Sequence, residues 1–235
     1  VSSSRAPTDL ALALDTANPA QAEAWIEATR GLGLVYKVGL ELFTAAGPQW
    51  TAGLTRARHR VFLDLKLHDI PNTVAKAVEQ IARLGVEWAT VHLSGGPKML
   101  AEAQKARGEV KLLGVSVLTS FSAEEWSATL SQVASNPHSP SDSVLGLAGL
   151  ASKAQLFGLV CSPQELAQVR ACYPALTPVV PGVRPAGSDR QDQARTMTPA
   201  EAVAAGAGAL VVGRPITQAQ DPAQAARAIL KEMGR

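Results

Sequence analysis

The chain has 235 residues, is 46% hydrophobic, and carries 22 basic against 20 acidic residues for a formal net charge of +2. That apolar content can bury a large core and excludes general disorder, while the balanced charge argues against nucleic acid or an anionic membrane as the main partner. No run of about 18 apolar residues is present to cross a bilayer.

The opening VSSSRAPT, residues 1–8, is polar and lacks the charged-then-apolar order of a signal peptide, so it reads as a loose, flexible terminus. Short apolar runs then alternate with longer amphipathic ones. The predicted strands are 10–15, 34–40, 60–67, 88–93, 111–118, 158–162, 178–183 and 209–213. Helical spacing is clearest over 72–84, where Val74, Val78 and Ile81 fall on one face. Asn72 or Thr73 is placed to cap that helix and Gly85 to end it. Two polar stretches exceed simple connections. One runs from 119 to about 143 and holds a short helix around 123–133. The other, 184–198, has the composition of a movable cover and contains Gly187. Cys161 and Cys172 are too few for a disulfide framework and read as free thiols of a cytoplasmic protein, with Cys161 packed on a strand. Strand–helix alternation implies a parallel sheet, and eight such units in this length fit a closed (β/α)₈ barrel, a TIM barrel, better than an open sheet. No domain linker is visible.

Residues 62–73 read FLDLKLHDIPNT. Side chains alternate along a strand, so Asp64 and Lys66 share one face while Leu63, Leu65 and Leu67 share the other. The outer face of a barrel strand packs on helices, which places the leucines outward and turns an aspartate and a lysine inward. Buried charges are costly unless paired. A structural ion pair closing one end of the barrel would account for two of them. Lys37 on the second strand and Asp69 in the loop after the third make four, an alternating Lys–Asp–Lys–Asp array that points to a functional site.

This run resembles the signature of the orotidine 5′-monophosphate decarboxylase family. Ala13-Leu14-Asp15, Lys37-Val38-Gly39, Ser94-Gly95-Gly96, Val117-Leu118-Thr119-Ser120, Pro181-Gly182-Val183-Arg184-Pro185 and Val212-Gly213-Arg214-Pro215 resemble the family's bacterial pattern in the same order. The likeness therefore covers nearly the whole chain, read as one barrel domain over residues 1–235.

The resemblance implies decarboxylation of orotidine 5′-monophosphate to uridine 5′-monophosphate in pyrimidine biosynthesis, with no cofactor and no metal. Loss of CO₂ leaves a carbanion at C6 of the pyrimidine without an adjacent electron sink, so fixed charges must stabilise it. Lys66 is the implied ammonium that stabilises and then protonates C6, its charged form favoured by flanking carboxylates. Asp64 matches the carboxylate near the departing group, and Lys37 the lysine that pairs with it and reaches the ribose. Asp69 matches a residue that enters the neighbouring subunit's site, and Thr73 a ribose contact across that interface. Ile70 is counted with them among the substrate contacts, and an obligate homodimer with shared sites is implied. The phosphate is expected at the ends of strands seven and eight, on the Gly213 backbone and the Arg214 guanidinium. Arg184 and Gln193 match substrate contacts on the seventh loop, Thr119 a pyrimidine contact, and Asp15 a ribose hydroxyl acceptor.

Two rival readings stand beside this one. A metal-dependent sugar-phosphate decarboxylase or synthase of related fold would share Asp-x-Lys-x-x-Asp, but Lys37 and the continuation His68-Asp69-Ile70-Pro71-Asn72-Thr73 favour the nucleotide enzyme. A catalytically silent nucleotide-binding barrel would have no need of all four charges. His68 is expected to pack or to make a loop hydrogen bond, and His92 could face the interior with no catalytic task. No His/Cys/carboxylate spacing calls for a structural metal.

Overall fold

The structure, a computed structural model, is described over residues 7–131, 139–185 and 197–235. Eight parallel strands close into a barrel in sequence order: β1 (Asp9–Ala13), β2 (Val35–Gly39), β3 (Arg60–Leu67), β4 (Trp88–His92), β5 (Lys111–Val115), β6 (Gly158–Val160), β7 (Thr177–Pro181) and β8 (Ala209–Val212). β8 returns to β1 through Ala11↔Val211 and its neighbours, which removes both sheet edges. The predicted strands match these in place and order but overrun them at most C-terminal ends. Their apolar alternation continues past the last ladder pair, into residues that line a cavity.

The helices on the outside are α1 (Pro19–Ala28), α2 (Leu40–Arg56), α3 (Pro71–Arg83), α4 (Gly96–Ala106), α5 (Ala123–Ser131), α6 (Pro140–Lys153), α7 (Leu166–Cys172), α8 (Pro199–Ala204), α9 (Arg214–Thr217) and α10 (Pro222–Glu232). α3 buries Val74, Val78 and Ile81 as their spacing predicts, and Gly85 follows its last turn at φ +74°. Its start differs from expectation. Ile70 is the N-cap, with no side-chain bond, and Pro71 opens the helix. Proline's preset φ suits that first position, so Asn72 and Thr73 fall inside the first turn instead of capping it. The polar stretch expected to reach residue 143 ends sooner, because Ser139 caps α6 by accepting from the Asp142 N–H at 3.1 Å. The short helix expected around 123–133 is present as α5, ending at Ser131 within the described residues.

Side-chain alternation builds two apolar layers. Leu10, Leu12, Leu63, Val91, Leu112, Val180 and Leu210 point outward into the shell shared with the helices. Ala11, Ala13, Val35, Phe62, Trp88, Leu113, Val179, Ala209 and Val211 fill the barrel interior. The N-terminal end is closed by charges. Arg60 pairs with Asp9 (2.6 and 3.0 Å) and with Glu87 (2.7 and 3.0 Å), Lys111 reaches Glu87 at 3.2 Å, and Arg60 lies 5.9 Å from the Trp88 ring centroid. A structural ion cluster thus exists, at the end opposite Asp64 and Lys66.

Candidate active site

Strand ends facing away from that plug surround a cavity of about 290 Å³. It is lined by Asp15 after β1, Lys37 on β2, Asp64 and Lys66 on β3, Thr119 after β5, Arg184 after β7, and Gly213 and Arg214 after β8. Eight residues singled out in the sequence therefore meet in one place. Their positions follow from the interior face: Lys37 stands two residues above Val35, and Asp64 two above Phe62.

The charges form a line. Lys37 Nζ lies 3.0 Å from Asp15 Oδ1 and 3.9 Å from Asp64 Oδ2, and Lys66 Nζ lies 2.9 Å from the same Asp64 oxygen. Within one chain the line is thus Asp15–Lys37–Asp64–Lys66: Asp15 extends it at the Lys37 end, and Asp69, expected at the Lys66 end, lies outside the cavity lining. Lys37 is 8% exposed, which its two carboxylate partners make tolerable. A Cβ added at Gly39 would lie 3.1 Å from the Lys37 ammonium, so a glycine leaves that charge its room.

Lys66 is reached by a distortion that alternation alone does not foresee. β3 and β4 pair at Leu63↔Ala89 and again at Leu67↔Val91, so β3 advances four residues while β4 advances two. Lys66 takes φ +50°, a left-handed conformation costing a non-glycine residue about 1–2 kcal/mol. Its N–H donates to Thr90 Oγ1 at 2.8 Å, and the Thr90 hydroxyl donates to Asp64 Oδ1 at 3.0 Å. Leu65 and Leu67 still pack outward against the core. Such bulges re-aim side chains beside functional sites.

Asp69, Ile70 and Thr73 lie elsewhere. All three are exposed, on the loop after β3 and the first turn of α3, outside the cavity lining of their own chain. Asp69 Oδ1 accepts from the Ile70 N–H at 2.6 Å. Ile70 is 67% exposed and Leu40, after β2, is 56% exposed. Gln193 and most of the expected cover, residues 186–196, lie outside the described residues. The stems of that loop are joined where the Arg184 N–H donates to Met197 O at 3.0 Å.

Arg184 Nη1 also donates to Val183 O at 3.1 Å. Arg214 opens α9, with Gly213 as its N-cap, so backbone N–H groups and a guanidinium come together at the end of β8. A Cβ at Gly213 would lie 3.4 Å from Ala13 Cβ and 3.5 Å from Asp15 Oδ2. Apolar lining comes from Val115, Val117, Leu118, Val160 and Pro181, of which Val115 and Val160 belong to none of the quoted motifs and none was expected to touch substrate. Their signal was the period-two pattern itself, read at the C-terminal ends of β5 to β7.

His92 packs its ring on His68, with centroids 5.3 Å apart and planes at 26°, and its Nδ1 lies 2.8 Å from Ser94 Oγ. Burial, then the nearby His68 and Lys66, holds His92 below the ordinary histidine range. Both thiols are free; burial pushes Cys161 up to about 12, and Cys172 is exposed. Among the described residues no group of three or more His, Cys, Asp or Glu side chains is placed to hold a metal ion. No helix there is long and apolar enough to cross a membrane.

A parallel barrel whose strand ends gather paired lysines and aspartates beside an arginine at a helix start defines a TIM-barrel site suited to an anionic substrate. The chain belongs to the orotidine 5′-phosphate decarboxylase / HUMPS family, whose sequence profile matches residues 8–229. It is 48% identical over 230 residues to an orotidine 5′-phosphate decarboxylase of Opitutus terrae, covering 96% of this chain and 98% of that protein. A protein of the same description from Anaeromyxobacter dehalogenans is 50% identical over 220 residues, covering 92% and 94%. The crystal structure of orotidine 5′-phosphate decarboxylase from Lactobacillus acidophilus superposes with a TM-score of 0.84 at 36% identity, covering 97% of this chain and all of that one, 100%.

Proposed function

We propose that this chain, as a single barrel domain in the cytoplasm, decarboxylates orotidine 5′-monophosphate to uridine 5′-monophosphate with fixed charges in place of a cofactor or metal. The observation that carries the reading is the Asp15–Lys37–Asp64–Lys66 line in a cavity shared with Arg214. As the bond between C6 and the carboxylate breaks, its electron pair stays on C6 and CO₂ departs. Lys66 holds an ammonium against that charge and then gives one proton from Nζ to C6, to be reprotonated by solvent before the next cycle. Preorganised charge of this kind acts without reorganising during the reaction. Asp64 accepts from Lys66 and so fixes the ammonium beside the departing group.

Asp15 and Lys37 bind the ribose hydroxyls, Thr119 the pyrimidine, and Arg184 and Gln193 complete the substrate contacts. Gly213 and Arg214 hold the phosphate, and binding energy from that remote group supports the chemistry. Asp69, Ile70 and Thr73 complete the site of a second copy in a homodimer. Their exposure outside their own cavity and the bare Ile70 and Leu40 side chains support that arrangement.

Following the absorbance of orotidine 5′-monophosphate in the presence of a chelator tests the activity. Turnover is expected. Turnover confined to a sugar phosphate and abolished by the chelator would replace this reading with the metal-dependent one.

A further inference from the structure

Thr90 is 1% exposed, lies outside the cavity lining, and belongs to none of the charged or glycine motifs. It sits on β4 at the register break, between Ala89, which pairs with Leu63, and Val91, which pairs with Leu67. Its hydroxyl has one proton and two acceptor lone pairs. The Lys66 N–H can only donate, so it uses one lone pair at 2.8 Å. The hydroxyl proton is then directed at Asp64 Oδ1, 3.0 Å away. Asp64 Oδ2 receives the Lys66 ammonium. One buried hydroxyl therefore ties down both the backbone and the carboxylate partner of the same lysine.

We propose that Thr90 is a positioning residue for the decarboxylation, holding the Lys66 bulge and the Asp64 carboxylate in the relative geometry the reaction needs. The inference rests on the roles given to Asp64 and Lys66 above. Lys66 occupies a left-handed backbone conformation that a regular strand would not adopt. The Thr90 hydroxyl satisfies the N–H that this distortion presents. It also gives Asp64 a donor on its second oxygen, so that both carboxylate oxygens are held in place. Valine at this position keeps the volume but withdraws the acceptor from Lys66 and the donor from Asp64. Serine keeps both and gives up only a methyl group.

The test compares wild type, Thr90→Val, Thr90→Ser and Thr90→Ala, measuring kcat, KM for orotidine 5′-monophosphate and affinity for uridine 5′-monophosphate. Loss of a hydrogen bond to a charged group corresponds to about tenfold or more in rate. Thr90→Val is expected to lose at least about tenfold in kcat, with KM and product affinity within about threefold, and Thr90→Ser to stay within about threefold of wild type. If Thr90→Val does not fold, the same split is expected between Thr90→Ser and Thr90→Ala. Equal kcat in the hydroxyl-bearing and hydroxyl-free variants, or a parallel loss of kcat and product affinity, would overturn the proposal. Wild-type turnover with the Lys66→Ala effect described below keeps that result separate from a failure of the proposed function.

Discussion

Lys66 Nζ lies 2.9 Å from Asp64 Oδ2, two residues back along a strand that bulges between Leu63 and Leu67. Two neighbours on one face of a regular strand would project side by side. Here the bulge turns the lysine so that its ammonium meets the carboxylate at the mouth of the barrel. Asp64 also faces Lys37 at 3.9 Å, so its charge is shared by two cations.

Arg214 at the end of β8 is expected to anchor the phosphate. Arg214→Ala should lower kcat/KM for orotidine 5′-monophosphate on the order of 10²–10³-fold, in line with the loss of a charge-assisted, two-bond contact. Orotidine, which lacks the phosphate, should be affected far less. Steady-state kinetics on both substrates checks this, and equal losses would move Arg214 away from the phosphate.

Asp69 is exposed in its own chain. Mixing the inactive variants Lys66→Ala and Asp69→Ala under conditions of subunit exchange should restore activity. Random pairing makes half the dimers mixed, each with one intact site, so roughly a quarter of wild-type activity is expected. No recovery despite exchange would show that Asp69 serves its own cavity.

The charge plug at the barrel floor predicts an acid-sensitive contribution to stability. Burial raises the Glu87 carboxyl, but hydrogen bonds from Arg60 and then Lys111 outweigh it and leave the group below its ordinary value of 4.5. A carboxyl depressed in the folded state stabilises the fold above its unfolded pKa and loses that contribution as pH falls through the folded value. Glu87→Gln should therefore cost about 1 kcal/mol near pH 7, a drop of about 2–4 °C in Tm. Melting curves from pH 7 to pH 3 should show the gap between variant and wild type closing at the acid end. A gap that persists unchanged would assign the loss to packing.

Much of the barrel was legible because its strands are apolar on both faces, Leu10 and Leu12 outward and Ala11 and Ala13 inward, and so stand out as short apolar runs between longer amphipathic stretches. The strand ends were not, since Leu14, Val117 and Val183 stay buried beyond the last ladder pair. The charged residues of β2 and β3 announced themselves as charges where apolar side chains belong. Asp15 was read as a lone ribose contact and not as a member of the line, because only the β1–β2 pairing brings it to Lys37, 22 residues on. The bulge left no trace, as Asp-Leu-Lys-Leu reads like an ordinary strand and the hydroxyl that holds it comes from Thr90, 24 residues away. The floor cluster was equally hidden. Asp9, Arg60, Glu87 and Lys111 lie at four separate strand starts, and each looks like a solvated end until the barrel closes.

The most direct test of the account is the split between chemistry and binding in Lys66→Ala. Single-turnover decarboxylation of orotidine 5′-monophosphate should fall by at least about 10³-fold, since both the ammonium and the proton donor are lost. Affinity for uridine 5′-monophosphate should stay within about tenfold, because ribose, phosphate and pyrimidine contacts remain. Losses of less than about tenfold in both would contradict the account and leave Lys66 a structural role.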